Sequence, residues 1–272
     1  RLHMGRPQPT PPPPPRPHLT RETRRTNLRD SHSGGSAGLC DVLAARLGDR
    51  VVTGTPVAAI RQTADSVEVD TIDGTWRARR AVLAMDPALV NHIAFEPGLP
   101  SARISMQRTW AMGSGIKAHF CYDEPFWRRD GLSGQSYANT GYLRTTFDVT
   151  PPDGPGVLVT FLGHQIPEHA RLVDLTADQR RDAALAELAA RFGPAARQPV
   201  RYLEQDWTRE PFQSGCIARP GPGTLSAAGE LIHQPVGRLH FAGAETSQIW
   251  EGHMEGAVRS AERATSELLN IS

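Results

Sequence analysis

Gly237 to Leu269 reads GRLHFAGAETSQIWEGHMEGAVRSAERATSELL, and the fold follows from how that stretch divides. Leu239 to Ala242 is a short apolar strand ending at Gly243. A turn of small residues comes next, then the acid Glu245, a loop carrying Trp250, and Gly252 ahead of a helix. The helix is expected from about His253 to Leu269. Its inward stripe is Met254, Ala257, Val258, Ala261, Ala264 and Leu268, with Arg259, Glu262 and Arg263 outside. A strand that leads through glycine to a helix start lets backbone N–H groups approach an anionic group closely. An ordinary strand–loop–helix with a buried tryptophan fits the same pattern, and the residues alone leave both open.

Outward from this stretch, strands and helices alternate without a regular period. Val51-Val52 and Val57 to Ile60 read as short strands. Ser66 to Thr71, Asp73-Gly74 and Trp76 to Met85 read as a hairpin. Asp86-Pro87 suits the start of a short helix through Ile93. Ile116 to Tyr122 alternates: Ile116, Ala118, Phe120 and Tyr122 take one face, Lys117, His119 and Cys121 the other. Val157 to Leu162 is a further strand. Thr176 to Gln179 is a capping box, opening a helix that turns Ala184, Leu185, Leu188 and Phe192 inward and stops at Gly193. Near the front, Leu39, Val42, Leu43 and Leu47 lie at helical spacing before Gly48. The fold class expected is α/β in the mixed α+β sense, not a plain doubly wound sheet.

Composition narrows the function classes. The chain has 272 residues, 39% of them hydrophobic, and a net charge of +1, so no basic field is available for nucleic acid. No apolar run is long enough for a membrane anchor. Cys40, Cys121 and Cys216 form no C-x-x-C pair, which argues against a disulfide framework or zinc site and for a cytoplasmic location. His164 and His169, five apart beside Pro167, make a poor metal pair. Residues 1-33, with five consecutive prolines from Pro11 to Pro15 and many arginines, are expected to be a disordered tail. Lys117 is the only lysine among 30 basic residues. A compact ammonium on a flexible stem is not interchangeable with guanidinium.

Ala242-Gly243-Ala244-Glu245-Thr246 and Trp250-Glu251-Gly252-His253-Met254-Glu255-Gly256-Ala257-Val258 resemble the C-terminal flavin-binding signature of the flavin monoamine oxidase family. The resemblance runs from about residue 33 to 270. Gly34-Gly35, Pro56 to Ile60, Ala81 to Pro100, Gly113-Ser114-Gly115-Ile116-Lys117, Pro125-Phe126-Trp127, Asp206-Trp207 and Ser214-Gly215-Cys216 follow in the family's order. It implies an FAD-binding domain interleaved with a substrate domain built on a mixed sheet with flanking helices. The expected layout is 34-106 for the middle of the FAD domain, 107-210 for the substrate domain and 211-272 for the C-terminal part of the FAD domain.

The resemblance implies FAD contacts from Val57 (at the adenine), Trp207, Cys216, Gly243, Ala244, Glu245, Trp250, Gly252, Met254 and Ala257. It puts Lys117 near flavin N5 through a water. Cys216 stands where some members attach FAD through a thioether and others carry an unbonded thiol. Two tyrosines frame the amine in some members; Ile217 and His253 occupy those positions here. Ile217 cannot supply a cation–π contact, and His253 is a candidate base or guide for a carboxylate, or a wall residue. The implied activity is oxidation of a small-molecule amine, with O2 reduced to hydrogen peroxide. An amino-acid oxidase or other desaturase of the same fold is the alternative, with Arg144 and Arg219 as candidate carboxylate partners. The family's opening G-x-G-x-x-G is absent. The chain alone is therefore expected to hold FAD weakly or not at all, as one half of a two-chain enzyme complemented by an N-terminal chain, as a homodimer, or as a non-catalytic remnant.

Overall fold

The computed structural model describes residues 35–163 and 166–269. In chain order the elements are α1 (Ala37–Leu47), β1 (Val57–Gln62), β2 (Val67–Thr71), β3 (Gly74–Ala78), β4 (Ala81–Ala84), β5 (Ala94–Glu96), α2 (Ser101–Thr109), β6 (Met112–Gly113), β7 (Ile116–Tyr122), β8 (Ser136–Tyr137), β9 (Leu143–Asp148) and β10 (Gly156–Leu162). They continue with α3 (Ile166–Val173), α4 (Ala177–Phe192), β11 (Arg201–Asp206), β12 (Cys216–Ala218), α5 (Thr224–Ala228), β13 (Leu239–Ala242) and α6 (Met254–Leu269). The chain divides into two units, residues 1–46 and 47–272. In the first lies most of α1, which buries none of its residues. The expected tail, 1-33, and His164 lie outside the described residues.

Alternation along β7 organises the larger sheet, of order β11-β7-β10-β9-β8 and antiparallel throughout. Ile116, Ala118, Phe120 and Tyr122 are buried with Leu158, Leu162, Leu172, Ala184, Leu185, Leu188 and Phe192. One face of the sheet therefore packs against α3 and α4. Each of the Ile, Leu and Phe side chains contributes roughly 1.5–3 kcal/mol. The capping box forms as its residues predict: the Thr176 hydroxyl accepts from the Gln179 N–H, and the Gln179 side chain accepts from the Thr176 N–H. The Tyr122 hydroxyl donates to the Ala196 carbonyl at 2.9 Å, fixing the end of this layer.

A second sheet has order β3-β2-β1-β5, with β1 and β5 parallel, and a two-stranded parallel ladder joins β4 to β13. The expected hairpin strand from Trp76 to Met85 is thus two strands in different sheets. The break at Arg79-Arg80 carries β4 away to pair with a segment more than 150 residues later. Val51-Val52 is not a strand: both are exposed, and neither enters a ladder among the described residues.

The inward stripe assigned to α6 is also corrected. Ala264 is buried as expected, but its buried companions are Gly256 and Ser260, whereas Met254 and Val258 are each 51% exposed and Ala261 is exposed as well. The cause is close approach. A Cβ on Gly256 would lie 2.2 Å from the Trp250 carbonyl oxygen, and the Gly243 N–H donates to the Ser260 hydroxyl at 3.0 Å. Only small residues fit that spacing. Arg263, expected outside, turns inward to donate to the Phe241 carbonyl at 2.6 Å and to Glu267 at 2.5 Å.

Candidate functional site

Two regions collect the predicted residues. The first is a cleft of about 1150 Å³ along β4 and the turn that follows β13. Val57, Gly243, Ala244 and Glu245 line it together with Ala81 to Asp86, Met112 and the loop Thr208–Ser214. Most of its floor is apolar. At its rim the Asp86 carboxylate accepts from the Ala88 N–H at 2.8 Å and from the Ser214 hydroxyl. Burial, with the neighbouring Glu245 charge in the same direction, raises the Asp86 pKa above the ordinary carboxylate value, against the Ala88 hydrogen bond. Sequence patterns offered Asp86 only as a helix cap. Its contact with Ser214 spans 128 residues and has no local signal.

The second region is built on backbone. β12 pairs with β6, setting Cys216 opposite Gly113, so the thiol-bearing strand lies beside the chain that enters β7 and Lys117. That pairing requires Gly113, because a Cβ there would meet the Cys216 carbonyl oxygen at 2.7 Å. Ile217 adopts φ 46° and Trp250 φ 60°, a region costly for side-chain-bearing residues and concentrated at functional positions. Ile217 is 70% exposed and Trp250 57%; Cys216 is exposed as well.

The Trp250 and His253 rings meet edge to face at 5.7 Å. His253 Nδ1 lies 2.8 Å from the Glu251 carbonyl. A carbonyl only accepts, so Nδ1 donates, and whenever the ring carries a single proton Nε2 is left as an acceptor. The Gly252 N–H is taken by the Ala244 carbonyl and the His253 N–H by the Trp250 carbonyl, each at 3.1 Å. Fewer N–H groups therefore remain for an anion at this helix start than the strand–glycine–helix pattern predicts. Ala257 is half-buried on α6. Trp207 begins the short helical turn Trp207–Arg209, half-exposed, and does not line the cleft.

Lys117 stands half-buried on the face of β7 away from the core and forms no hydrogen bond or ion pair among the described residues. Of the two candidate arginines, Arg144 donates to the Asn139 carbonyl and Arg219 packs against Gly113. The described residues contain no group of three or more His, Cys, Asp or Glu able to hold a metal, and no helix long and apolar enough to cross a membrane.

A strand–glycine–loop–helix unit whose turn, Gly243 to Glu245, lines a large and mostly apolar cleft marks a cofactor-binding α/β protein. The residues present fit the two ends of a flat dinucleotide cofactor. Exposed Trp250, Ile217 and Met254 offer apolar surface for a ring system, and the Ser114 hydroxyl, buried without a hydrogen-bond partner, awaits a polar group from a ligand. The pyrophosphate is less well served. The cleft carries the carboxylates Asp86, Glu210 and Glu245 and no glycine-rich helix start.

Residues 16–269 match the model of the flavin containing amine oxidoreductase family, and the chain belongs to that family. It is 34% identical over 244 residues to a probable flavin-containing monoamine oxidase A of Dictyostelium discoideum, covering 88% of this chain and 53% of the relative. It is 32% identical to an L-amino acid dehydrogenase of Synechocystis sp., covering 88% and 50%. Among solved structures, wild-type putrescine oxidase bound to putrescine superposes with a TM-score of 0.83 at 31% identity, over 87% of this chain and 53% of that one. Cyclohexylamine oxidase from Brevibacterium oxydans gives 0.81 at 33% identity, over 86% and 52%. The mixed α/β fold is that of these enzymes. The chain spans about half the length of the relatives it matches.

Proposed function

We propose that the chain supplies the flavin-ring side and the substrate wall of an amine-oxidising flavoenzyme. The observation that carries this is the β6–β12 pairing, which sets Cys216 and Ile217 beside the strand leading to Lys117. The layout is the one drawn from the resemblance: 34-106 and 211-272 in the FAD domain, 107-210 in the substrate domain. FAD would rest its adenine end by Val57 and its ring end among Cys216, Trp207, Trp250, Gly252, Met254 and Ala257, with Gly243, Ala244 and Glu245 between. Bound FAD supplies the redox chemistry, converting the neutral amine to an imine, which water hydrolyses to an aldehyde, with O2 reduced to hydrogen peroxide.

The protein's own groups position the reactants. The Lys117 ammonium, which has no carboxylate partner among the described residues, holds a water at the ring edge. His253 Nε2 accepts a hydrogen bond or a proton from the incoming ammonium, which must lose a proton before oxidation. Ile217 closes the opposite side as apolar wall. The phosphate end would come from a preceding βαβ unit, and β4, at the edge of the β4–β13 ladder, offers it a parallel pairing edge.

The test is cofactor retention. The chain, incubated with FAD and freed of excess, is expected to be colourless, and to keep the flavin absorbance band when co-expressed with the amino-terminal half of a relative. Colour in the chain alone would defeat the argument about the phosphate end. Absence of colour even in the complemented protein would defeat the cofactor reading. Colour that survives denaturation in the native sequence but not in Cys216→Ala would identify a thioether. Turnover by the complemented protein on an amine panel and an amino-acid panel separates the two substrate readings.

A further inference from the structure

Glu210 connects the cleft to Lys117 through one side chain. It lines the cleft beside Thr208 and Arg209, and its carboxylate accepts from the Gln205 side-chain amide at 2.5 Å. Gln205 lies on β11, an edge strand of the five-stranded sheet, in register with Lys117 on β7. Residues opposite each other on neighbouring strands share a face, with Cβ atoms about 4.5–5.5 Å apart. Both side chains are half-buried there.

The amide has a fixed sense. A carboxylate only accepts, so the Gln205 nitrogen is turned to Glu210 and the Oε1 atom is left with its acceptor capacity free. Carboxylate, amide N–H, amide oxygen and ammonium then follow one another in the order that electrostatics favours. The other neighbours of Lys117 do not compete for this role. Phe161, opposite it on β10, has no polar side-chain atom. His119 has a ring nitrogen able to accept, but it stands two residues along β7, about 7 Å away, between Val159 and Leu203.

No direct hydrogen bond joins Lys117 to Gln205 among the described residues, and polar groups set a little too far apart for one are commonly bridged by water. An ammonium only donates. A water that Lys117 holds therefore accepts from Nζ and must place both of its own protons on acceptors. At the ring edge one proton goes to the cofactor, and the other needs an acceptor from the protein. We propose that Gln205 Oε1 is that acceptor: Gln205 is a positioning residue that fixes the water held by Lys117, and Glu210 sets the sense of its amide. The inference rests on the amine-oxidising reading above and adds to that site a residue that no sequence motif singled out.

Lys117 is the only lysine, so the chain labelled with 15N-lysine gives one lysine ammonium NMR signal, whose proton exchange with solvent is measured without FAD. Gln205→Leu is expected to speed that exchange about fivefold, the worth of one hydrogen bond of typical net strength. Glu210→Gln, at an exposed position outside the sheet, frees the amide to turn and should act in the same direction, so the arrangement is tested even if Gln205→Leu fails to fold. Gln205→Glu, which keeps an acceptor, should hold exchange at the wild-type rate or below, and His119→Leu should leave it unchanged. Exchange that neither Gln205→Leu nor Glu210→Gln alters, or that His119→Leu alone alters, overturns the proposal. In the complemented, FAD-loaded protein, Gln205→Leu should slow reoxidation of the flavin by O2 and leave its reduction by an amine unchanged; an equal rate of reoxidation would overturn the positioning role. The expected exchange pattern in a chain whose complemented form oxidises no amine would sink the amine-oxidation reading and leave the Lys117–Gln205 anchor standing.

Discussion

Gly256→Ala is the sharpest probe of how α6 meets the loop before it. Intrinsic propensity favours alanine over glycine inside a helix by about 0.8–1.0 kcal/mol, so an unobstructed site would gain stability. Here the new methyl would lie 2.2 Å from the Trp250 carbonyl oxygen, 2.9 Å from its carbon and 3.3 Å from the Ser247 Cβ. An ordinary contact would require the Trp250 backbone to retreat by roughly 1 Å, judged against normal van der Waals separations. That backbone is already at φ 60° and is tied down by the His253 N–H. Overpacking of this kind costs typically 1–3 kcal/mol, more where the obstacle is backbone.

Setting about 3 kcal/mol of strain against about 1 kcal/mol of propensity leaves a net loss of about 2 kcal/mol. For a unit of this size that is a fall in Tm of roughly 4–8 °C. Urea and thermal denaturation measure it, with Gly229→Ala as control. Gly229 has φ −57° and would set its Cβ an unstrained 3.8 Å from Leu225, so that variant should be neutral or slightly stabilised. A Gly256→Ala protein as stable as the control would refute the reasoning, because the loop would then yield freely.

Two further predictions concern buried charge. Burial would raise the Glu267 pKa, but hydrogen bonds from His240 and Arg263 outweigh it and hold the carboxyl below the ordinary value. A depressed carboxyl contributes stability that is present above its unfolded pKa and lost as pH falls through the folded one. Glu267→Gln is therefore expected to cost about 1–3 kcal/mol at neutral pH and to flatten the acid limb below the ordinary carboxylate range; an unchanged acid limb would show that His240 is anchored otherwise. Asp86 has the opposite sign. Its raised pKa means that ionisation costs stability once pH exceeds the unfolded value. Asp86→Asn, which keeps an oxygen for the Ala88 N–H, should stabilise the chain at pH 8 relative to pH 3. A variant less stable at pH 8 would mean that the carboxylate charge is needed there.

Much of the chain is legible from its residues because the deciding interactions are local or periodic. The alternation of β7, the capping box of α4 and the inward set Ala184, Leu185, Leu188 and Phe192 follow from neighbours a few positions apart. The family is legible because two unbroken runs, Ala242 to Thr246 and Trp250 to Val258, carry it. Where β4 pairs, which side of α6 turns inward, and that Asp86 meets Ser214 were settled by partners distant in sequence. Hydrophobicity predicted that α6 would bury Met254 and Val258. Its backbone instead packs so close to the Trp250 carbonyl and the Gly243 amide that the smallest side chains face inward. Periodicity reports which residues share a face, and only the tertiary structure decides how closely another backbone approaches that face.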